Sequence, residues 1–411
     1  MRPSLEEVKE LAKKFSMIPI STEILSDSTT PIEALKHIRQ VSKHVFLLES
    51  AEANKVWGRY SFLGYDPMAQ VTVKDGKGMC HSEGITQHFE GDPANVIRKM
   101  LQANHSPKLP YLPPFTGGFV GYYSYDYIKY QEPKLTLSAL DHEGFEDADL
   151  MMFDKVIAFD SYRQKIVLIV NMHIDAQSHS ELEKLYQEAQ KNLEHMKSIL
   201  TKDHAKEAIH EQSENLELLS PFQELYDKET YCEMVERAQH YIKEGDIFQV
   251  VLSNRVEAKM RGSLLPAYRL LRTTNPSPYM FYFSGSEGEI IGASPETLVK
   301  QVDGVVTTFP MAGTRRRGET QEEDLLLEQD LLSDEKELAE HNMLVDLGRN
   351  DLGKLCEIGT VEVEKYLNIE RFSHVMHIGS CVKGQLLQNK DALDVIAGVL
   401  PAGTLSGAPK I

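Results

Sequence analysis

The chain has 411 residues, 41% of them hydrophobic, and a formal net charge of −18 at pH 7. That length can bury a sizeable core in one large or two intimate domains, no apolar run is long enough to span a bilayer, and the acidic balance argues against nucleic acid and anionic membrane as partners. Four cysteines, Cys80, Cys232, Cys356 and Cys381, are scattered without metal-ligand spacing and read as reduced thiols; the first residues, Met1 to Lys14, lack a signal-peptide core, so the expected location is cytoplasmic.

In chain order, Met1 to Lys14 is charged and helical in character. Val45 to Leu48 is a short buried-type strand, Met68 to Val73 alternates as a strand, and Gly117 to Ile128 is β-prone. Asp149 to Ile174 predicts two strands joined near Asp160-Ser161, and Ser178 to Leu200 turns to helical spacing. Thr201 to Glu217 is charged and poor in apolar residues, which predicts a linker. Beyond it come a helix over Lys228 to Lys243 closed by Gly245, a strand over Ile247 to Val256 and a helix over Leu264 to Thr274. Tyr279 to Phe283, Ile290 to Ala293 and Thr297 to Val302 read as strands, and Gly313 to Gly318 as an Arg/Gly-rich loop. Helices with breaks span Gln321 to Leu347, Val375 to Val382 is strand-like, and Ala392 to Leu400 is helical. There is no repeat and no regular βαβ rhythm, so the expected class is α+β.

The segment from Asp334 to His341 carries the densest chemistry. It reads as the start of a helix with Ser333 as N-cap. Glu337, Glu340 and His341 fall at i, i+3 and i+4 and share a face that Leu344 continues, while Leu338 and Val345 line another. Acids running into apolar positions need a partner, and a hard cation such as Mg²⁺ is one; a salt-bridged surface helix is the plainer reading of the segment taken alone. There is no phosphate-cradling loop, no dinucleotide fingerprint, no H-E-x-x-H and no nucleophile elbow.

The second half resembles the chorismate-utilising enzymes, most closely the component I subunits of anthranilate synthases. The resemblance rests on Lys243-Glu244-Gly245-Asp246-Ile247-Phe248-Gln249-Val250, Asn275-Pro276-Ser277-Pro278-Tyr279-Met280, Gly292-Ala293-Ser294-Pro295-Glu296 and Ala312-Gly313-Thr314-Arg315. It continues through His341 to Leu347, Arg349-Asn350-Asp351, Val375-Met376-His377 and Gly403 to Lys410. Leu47 to Ser50 and Trp57 to Phe62 look like the regulatory module of the same subunit. The resemblance implies large antiparallel sheets packed as a sandwich with flanking helices. It implies an N-terminal regulatory region over residues 1–200, a linker over 201–220 and a chorismate-binding catalytic region over 221–411.

By that resemblance Glu340 ligates Mg²⁺ with Glu337 in support, and the ion draws electrons from the ring carboxylate of chorismate as a Lewis acid. Glu296 protonates the departing 4-hydroxyl, and His377 takes the C2 proton as pyruvate leaves. Read alone, Glu296 is a surface acid beside a turn and His377 a satisfied core residue. Gly313, Thr314 and Thr404 would contact substrate, though each alone is an ordinary turn or loop residue. Gln249 stands where relatives that add water place a lysine base, and Ala312 where relatives making 4-amino-4-deoxychorismate carry a nucleophilic lysine. Both point to ammonia attack at C2 and an anthranilate product.

No cysteine has the Gly-flanked neighbourhood of a glutaminase nucleophile, so the expected ammonia source is a separate glutamine amidotransferase subunit, component II. Glu49, Ser50, Pro278, Tyr279 and Met280 match the family's tryptophan feedback site, and an effector there is expected to clamp the N- and C-terminal portions together. Family members are expected to continue for several dozen residues past the position of Ile411, with a second Mg²⁺-ligating glutamate, a substrate-binding Tyr and Arg, and a Gly-rich segment. The chain therefore reads as holding roughly half of the metal site, either as a fragment of a longer protein or as a true short form expected to lack or nearly lack synthase activity. The alternatives are a 4-amino-4-deoxychorismate synthase component I, or a non-catalytic tryptophan-binding or partner-docking polypeptide.

Overall fold

The run from Asp149 to Ile174 forms three strands rather than two, Ala148–Phe153, Lys155–Asp160 and Lys165–His173. The first break falls at Asp154, where the chain leaves one sheet and enters another. The second is a turn written by Asp160, whose carboxylate accepts the backbone N–H groups of Tyr162 and Arg163 at 3.2 and 3.1 Å and two bonds from Arg59 at 3.0 and 2.7 Å. A period-2 pattern does not reveal the first break, because both strands are buried on both faces.

These strands belong to a computed structural model that describes residues 1–50, 58–135, 141, 143–174, 181–201 and 215–411. Trp57, the predicted helix start at Ser178 and most of the predicted linker lie outside the described residues. The chain divides into two compact units, Met1–Leu216 with Gly262–Ser294, and Glu217–Arg261 with Pro295–Ile411. Every strand pairing in both is antiparallel, interspersed with helices, so the class is α+β as expected. The unit boundaries depart from a single cut near residue 200, since residues 262–294 fold into the first unit.

In the first unit a seven-stranded sheet runs in the order Met17–Leu25, Lys165–His173, Lys155–Asp160, Tyr60–Tyr65, Val45–Glu49, Tyr279–Ser284, Glu289–Ser294. A five-stranded sheet, Ile85–Glu90, Lys77–Ser82, Ala69–Lys74, Ala148–Phe153, Gly118–Tyr123, packs on one face of it. The layer between them is aromatic: Phe46 and Phe283 from one sheet meet Phe153 and Met151 from the other, with the Phe46 and Phe153 rings edge to face at 4.8 Å. The opposite face is covered by the helices Pro31–Arg39, Leu182–Leu200 and Leu265–Thr274, through Leu35, Met196 and Tyr268 against Ile20, Leu47 and Leu168. Gly117 to Ile128 becomes a strand over Gly118–Tyr123 followed by a 3-10 turn over Tyr125–Tyr130.

The second unit is organised by the strand Val375–Gln385, hereafter the central strand. Glu362–Arg371 pairs with most of its length, while Val305–Thr308 and Met311–Arg316 pair with its two halves in succession. Gly313 to Arg316 of the predicted Gly313–Gly318 loop are thus strand. Two helices, Gln321–Ser333 and Glu335–Gly353, pack on this sheet through Leu331 and Leu338 against Met376 and Ile378, and through Val345 and Leu352 against Val306 and Val382. The N-cap of the second helix is Asp334, which accepts the N–H groups of Lys336 and Glu337; Ser333 is the last residue of the first. The predicted Lys228–Lys243 helix runs over Lys228–Glu244, ends on Gly245 at φ 83°, and buries none of its residues. Ile247 to Val256 contributes only the short pairs Gln249–Val250 and Val256–Glu257.

Phe46 has no exposed surface and sits in the aromatic layer. Phe46→Ala should therefore destabilise the first unit by about 3–5 kcal/mol, measured as a lower urea midpoint at unchanged slope.

Candidate functional site

The helix Glu335–Gly353, hereafter the site helix, carries the two candidate metal-ligating acids and Asp351 on one face. Positions 337, 340, 344, 347, 348 and 351 recur at helical spacing, so one stripe about 21 Å long presents two acids, then two leucines and a glycine, then Asp351. His341 does not share this face. It is fully buried, its Nε2 lies 2.6 Å from Ser380 Oγ on the central strand, and burial pushes its imidazole down to about 4.

At the N-terminal end of the stripe stands a cluster around His377. Met311–Arg316 pairs with the central strand, but the register slips by one residue between Ala312 and Thr314. Gly313 is the extra residue, in the left-handed region at φ 72°, which fits a β-bulge better than an ordinary turn. A Cβ there would come within 3.2 Å of Ile378 and Leu331 and 3.3 Å of Glu337 Oε2, so the backbone of Gly313 lies against Glu337. The bulge turns its carbonyl to His377, whose Nδ1 is 3.0 Å from Gly313 O and 3.1 Å from Thr314 Oγ1. A carbonyl only accepts, so Nδ1 carries the hydrogen and Nε2 is left as the basic nitrogen.

One turn further along, Gln249 Nε2 donates to Glu340 Oε1 at 3.3 Å, while Gln249 Oε1 is buried without a partner among the described residues. Gln249 is delivered by the pairing of Gln249–Val250 with Gly407–Ala408. Glu337 and Glu340 thus offer two carboxylates one helical turn apart, oxygen donors that suit a hard cation keeping several waters. Among the described residues no group of three or more His, Cys, Asp or Glu side chains assembles into a full cage. The residues present fit Mg²⁺ as a site of few protein ligands.

Beyond Glu340 the stripe becomes the wall of an open cleft, lined by Leu344, Leu347, Gly348 and Asp351 together with Glu296, Phe309, Thr404 and Lys410. Glu296 follows the strand Glu289–Ser294, and Thr404 lies in a 3-10 turn over Gly403–Leu405. Thr404 Oγ1 donates to Glu296 Oε1 at 3.4 Å. Burial raises the Glu296 carboxyl above the ordinary carboxylate value, and the Thr404 bond opposes this. Asp351 and Lys410 were quoted in the sequence only as motif residues. They lie 59 residues apart in sequence, and only the fold shows that they meet.

The basic run Arg315-Arg316-Arg317 is consumed by acids. Arg315 binds Asp330 and Asp334, Arg316 binds Glu323 and Arg317 binds Asp324.

The expected effector residues lie in the first unit. Val45–Glu49 and Tyr279–Ser284 are adjacent strands with Glu49 opposite Met280, so the structure brings the two segments together. The idea that an effector would clamp separate portions of the chain fails in that form, because these strands already share a sheet. Glu49 is only 6% exposed; it accepts Tyr268 OH at 2.7 Å and Arg272 Nη2 at 2.9 Å. Met280 is buried in the core, while Ser50, Pro278 and Tyr279 are half-buried.

A model of the chorismate binding enzyme family matches residues 43–411. Anthranilate synthase component 1 of Acetivibrio thermocellus is 41% identical over 416 residues, covering 100% of this chain and 82% of that protein. Its counterpart in Aquifex aeolicus is 40% identical over 413 residues, covering 99% and 81%. Among solved structures, anthranilate synthase component I from Streptococcus pneumoniae superposes with a TM-score of 0.70 at 37% identity, covering 86% of this chain and 74% of that one.

The bulge yields a prediction. Gly313→Ala forces an L-residue into the left-handed region and a methyl group against Leu331, Ile378 and Glu337. The second unit should lose about 1–3 kcal/mol, seen as a lower thermal midpoint.

Proposed function

This chain belongs to the chorismate-binding enzyme family, and we propose that it is the component I subunit of an anthranilate synthase, converting chorismate and ammonia to anthranilate, pyruvate and water. The observation that carries this reading is the identity of 41% to a component 1 protein along the whole chain. The site geometry supports it.

Ammonia adds at C2 as the 4-hydroxyl leaves, and the hydroxyl must take a proton to leave as water. Glu296 supplies it, since burial keeps its carboxyl protonated to higher pH than an exposed glutamate. The C2 proton then goes to a base while the enolpyruvyl group departs as pyruvate and the ring becomes aromatic. His377 is that base, acting through Nε2 because Nδ1 is engaged by the Gly313 carbonyl. Thr314 and Thr404 bring hydroxyls to the two proton-transfer residues. When bound by Glu340, with Glu337 in support, Mg²⁺ supplies Lewis-acid withdrawal from the ring carboxylate. Gln249 ends in a neutral amide, which cannot generate hydroxide from water. Ala312 has no nucleophile, so no covalent adduct forms through that residue.

The ammonia source we propose is a glutamine amidotransferase subunit; the "component" in the relatives' names supports a second chain. Tryptophan is the proposed inhibitor, bound near Glu49, Ser50 and Pro278 to Met280. Its ammonium would approach the carboxylate that Arg272 and Tyr268 now hold.

Chorismate with Mg²⁺ and ammonium should give anthranilate fluorescence and an equal amount of pyruvate. A para-substituted product, or none, from the protein together with its partner would overturn the assignment. Glu296→Gln should lower kcat by about 10²–10⁴-fold. The protonated form of Glu296 is the active one and its titration is displaced upward, so the rate should fall as pH rises through that raised value. Profiles of kcat against pH for wild type and Glu296→Gln test this. Ser50→Ala should raise the tryptophan concentration for half-inhibition by roughly tenfold; an unchanged inhibition curve removes Ser50 from the effector site.

A further inference from the structure

Lys410 lies at the junction of three segments in the second unit. Its ammonium donates to Asp351 Oδ2 at 2.6 Å, in the last turn of the site helix, and also to the carbonyl of Val399, the last residue of the helix Ala392–Val399. The two side chains are 11% and 8% exposed. Burial works against the charged form of each, and their mutual attraction opposes it.

The chain between Leu400 and Lys410 forms a strap across the cleft. At its far side it is stitched to the Gln249 segment by backbone bonds from Phe248 N to Ala408 O at 2.8 Å and from Val251 N to Ser406 O at 3.0 Å. Gly407 makes that approach possible, because a Cβ there would sit 2.2 Å from Gln249 O. In the middle Gly403 rests on Leu347 and presents Thr404 to Glu296. At the near side the strap is fastened to the helices by Lys410.

We propose that the Lys410–Asp351 ion pair latches this strap over Glu296, making Lys410 and Asp351 positioning residues for proton delivery to the leaving hydroxyl. The inference rests on the reading of Glu296 as the acid. The latch holds the Thr404 turn down, and the turn keeps bulk water from the carboxyl. With the latch cut, the strap keeps its backbone bonds to the Gln249 segment and its continuity with the helix Ala392–Val399 but loses the tie to the site helix at Asp351, and Glu296 becomes solvated.

The test must separate the latch from its charges, since Asp351 and Lys410 are the titratable groups that line the cleft with Glu296. The double variant D351N/K410M removes the ion pair with no change in net charge. The expected result is a fall in kcat with its alkaline limb moved to lower pH by about one unit, and hydrogen exchange at residues 403–408 several-fold faster while the rest of the unit stays protected. An unmoved limb together with unchanged strap exchange overturns the proposal. Should the double variant not fold, the milder D351N serves for the same exchange comparison, and unchanged exchange there overturns it equally. Glu296→Gln separates the two readings: if it retains the wild-type pH profile, Glu296 is not the acid, while the exchange result still decides whether the latch exists.

Discussion

Gly348 has no side chain, and this sets how closely the site helix can lie on its sheet. A Cβ at that position would stand 3.1 Å from Thr308 and 3.4 Å from Pro310. Leu352 and Val345 on either side are buried against Val306 and Val382. With the helix seated this way its rotation is fixed, and the stripe bearing Glu337, Glu340 and Leu344 must face the bulged strand and the cleft. Three of the segments around the site make contact with that stripe: Gly313 backs onto Glu337, Gln249 reaches Glu340, and Lys410 reaches Asp351. The chemistry is thus arranged along one rigid element, which is how a small number of side chains can be held in register without many loops.

What sequence could show follows the range of the interactions involved. The shared face of Glu337, Glu340 and Leu344 was legible because helix periodicity is local. His341 was assigned to that face by the same rule and lies elsewhere, since a position at i+4 can sit at the edge of a stripe and be claimed by a partner such as Ser380, 39 residues away. The Thr404–Glu296 and Lys410–Asp351 contacts span 108 and 59 residues and leave no periodic trace. The bulge at Gly313 looked like a loop because Gly and three arginines suppress the strand signal, while pairing with the central strand overrides it. Two strands fall outside every predicted element although their sequences alternate: Met17–Leu25, with Ile18, Ile20 and Ile24 on the core side, and Glu362–Arg371, with Val363, Leu367 and Ile369 on one side.

The first unit shows a comparable economy. The helix Leu265–Thr274 is gripped at both ends by carboxylates from strands of the sheet it covers. Glu289 accepts from Ser263 and from the backbone of Leu264 at its start, and Glu49 accepts from Tyr268 and Arg272 along its length. Arg39 joins the Glu289 end from another helix at 2.9 Å. Glu49 therefore has a structural partner as well as a candidate ligand. Any cation that approaches it competes with an arginine already in place, which limits how strongly a neutral amino acid can bind there unless its ring finds apolar contact.

A single helix that presents acids at one end and a cleft wall at the other cannot easily change its length. Inserting or deleting one residue between Glu340 and Leu344 would swing everything beyond it by about 100° around the axis. The leucines, Gly348 and Asp351 would leave the cleft together, and an inward side chain would collide with Thr308. Substitutions can be absorbed position by position, but indels inside this helix cannot, so divergence in this unit is confined to side-chain identity here and to length changes in the connections around it.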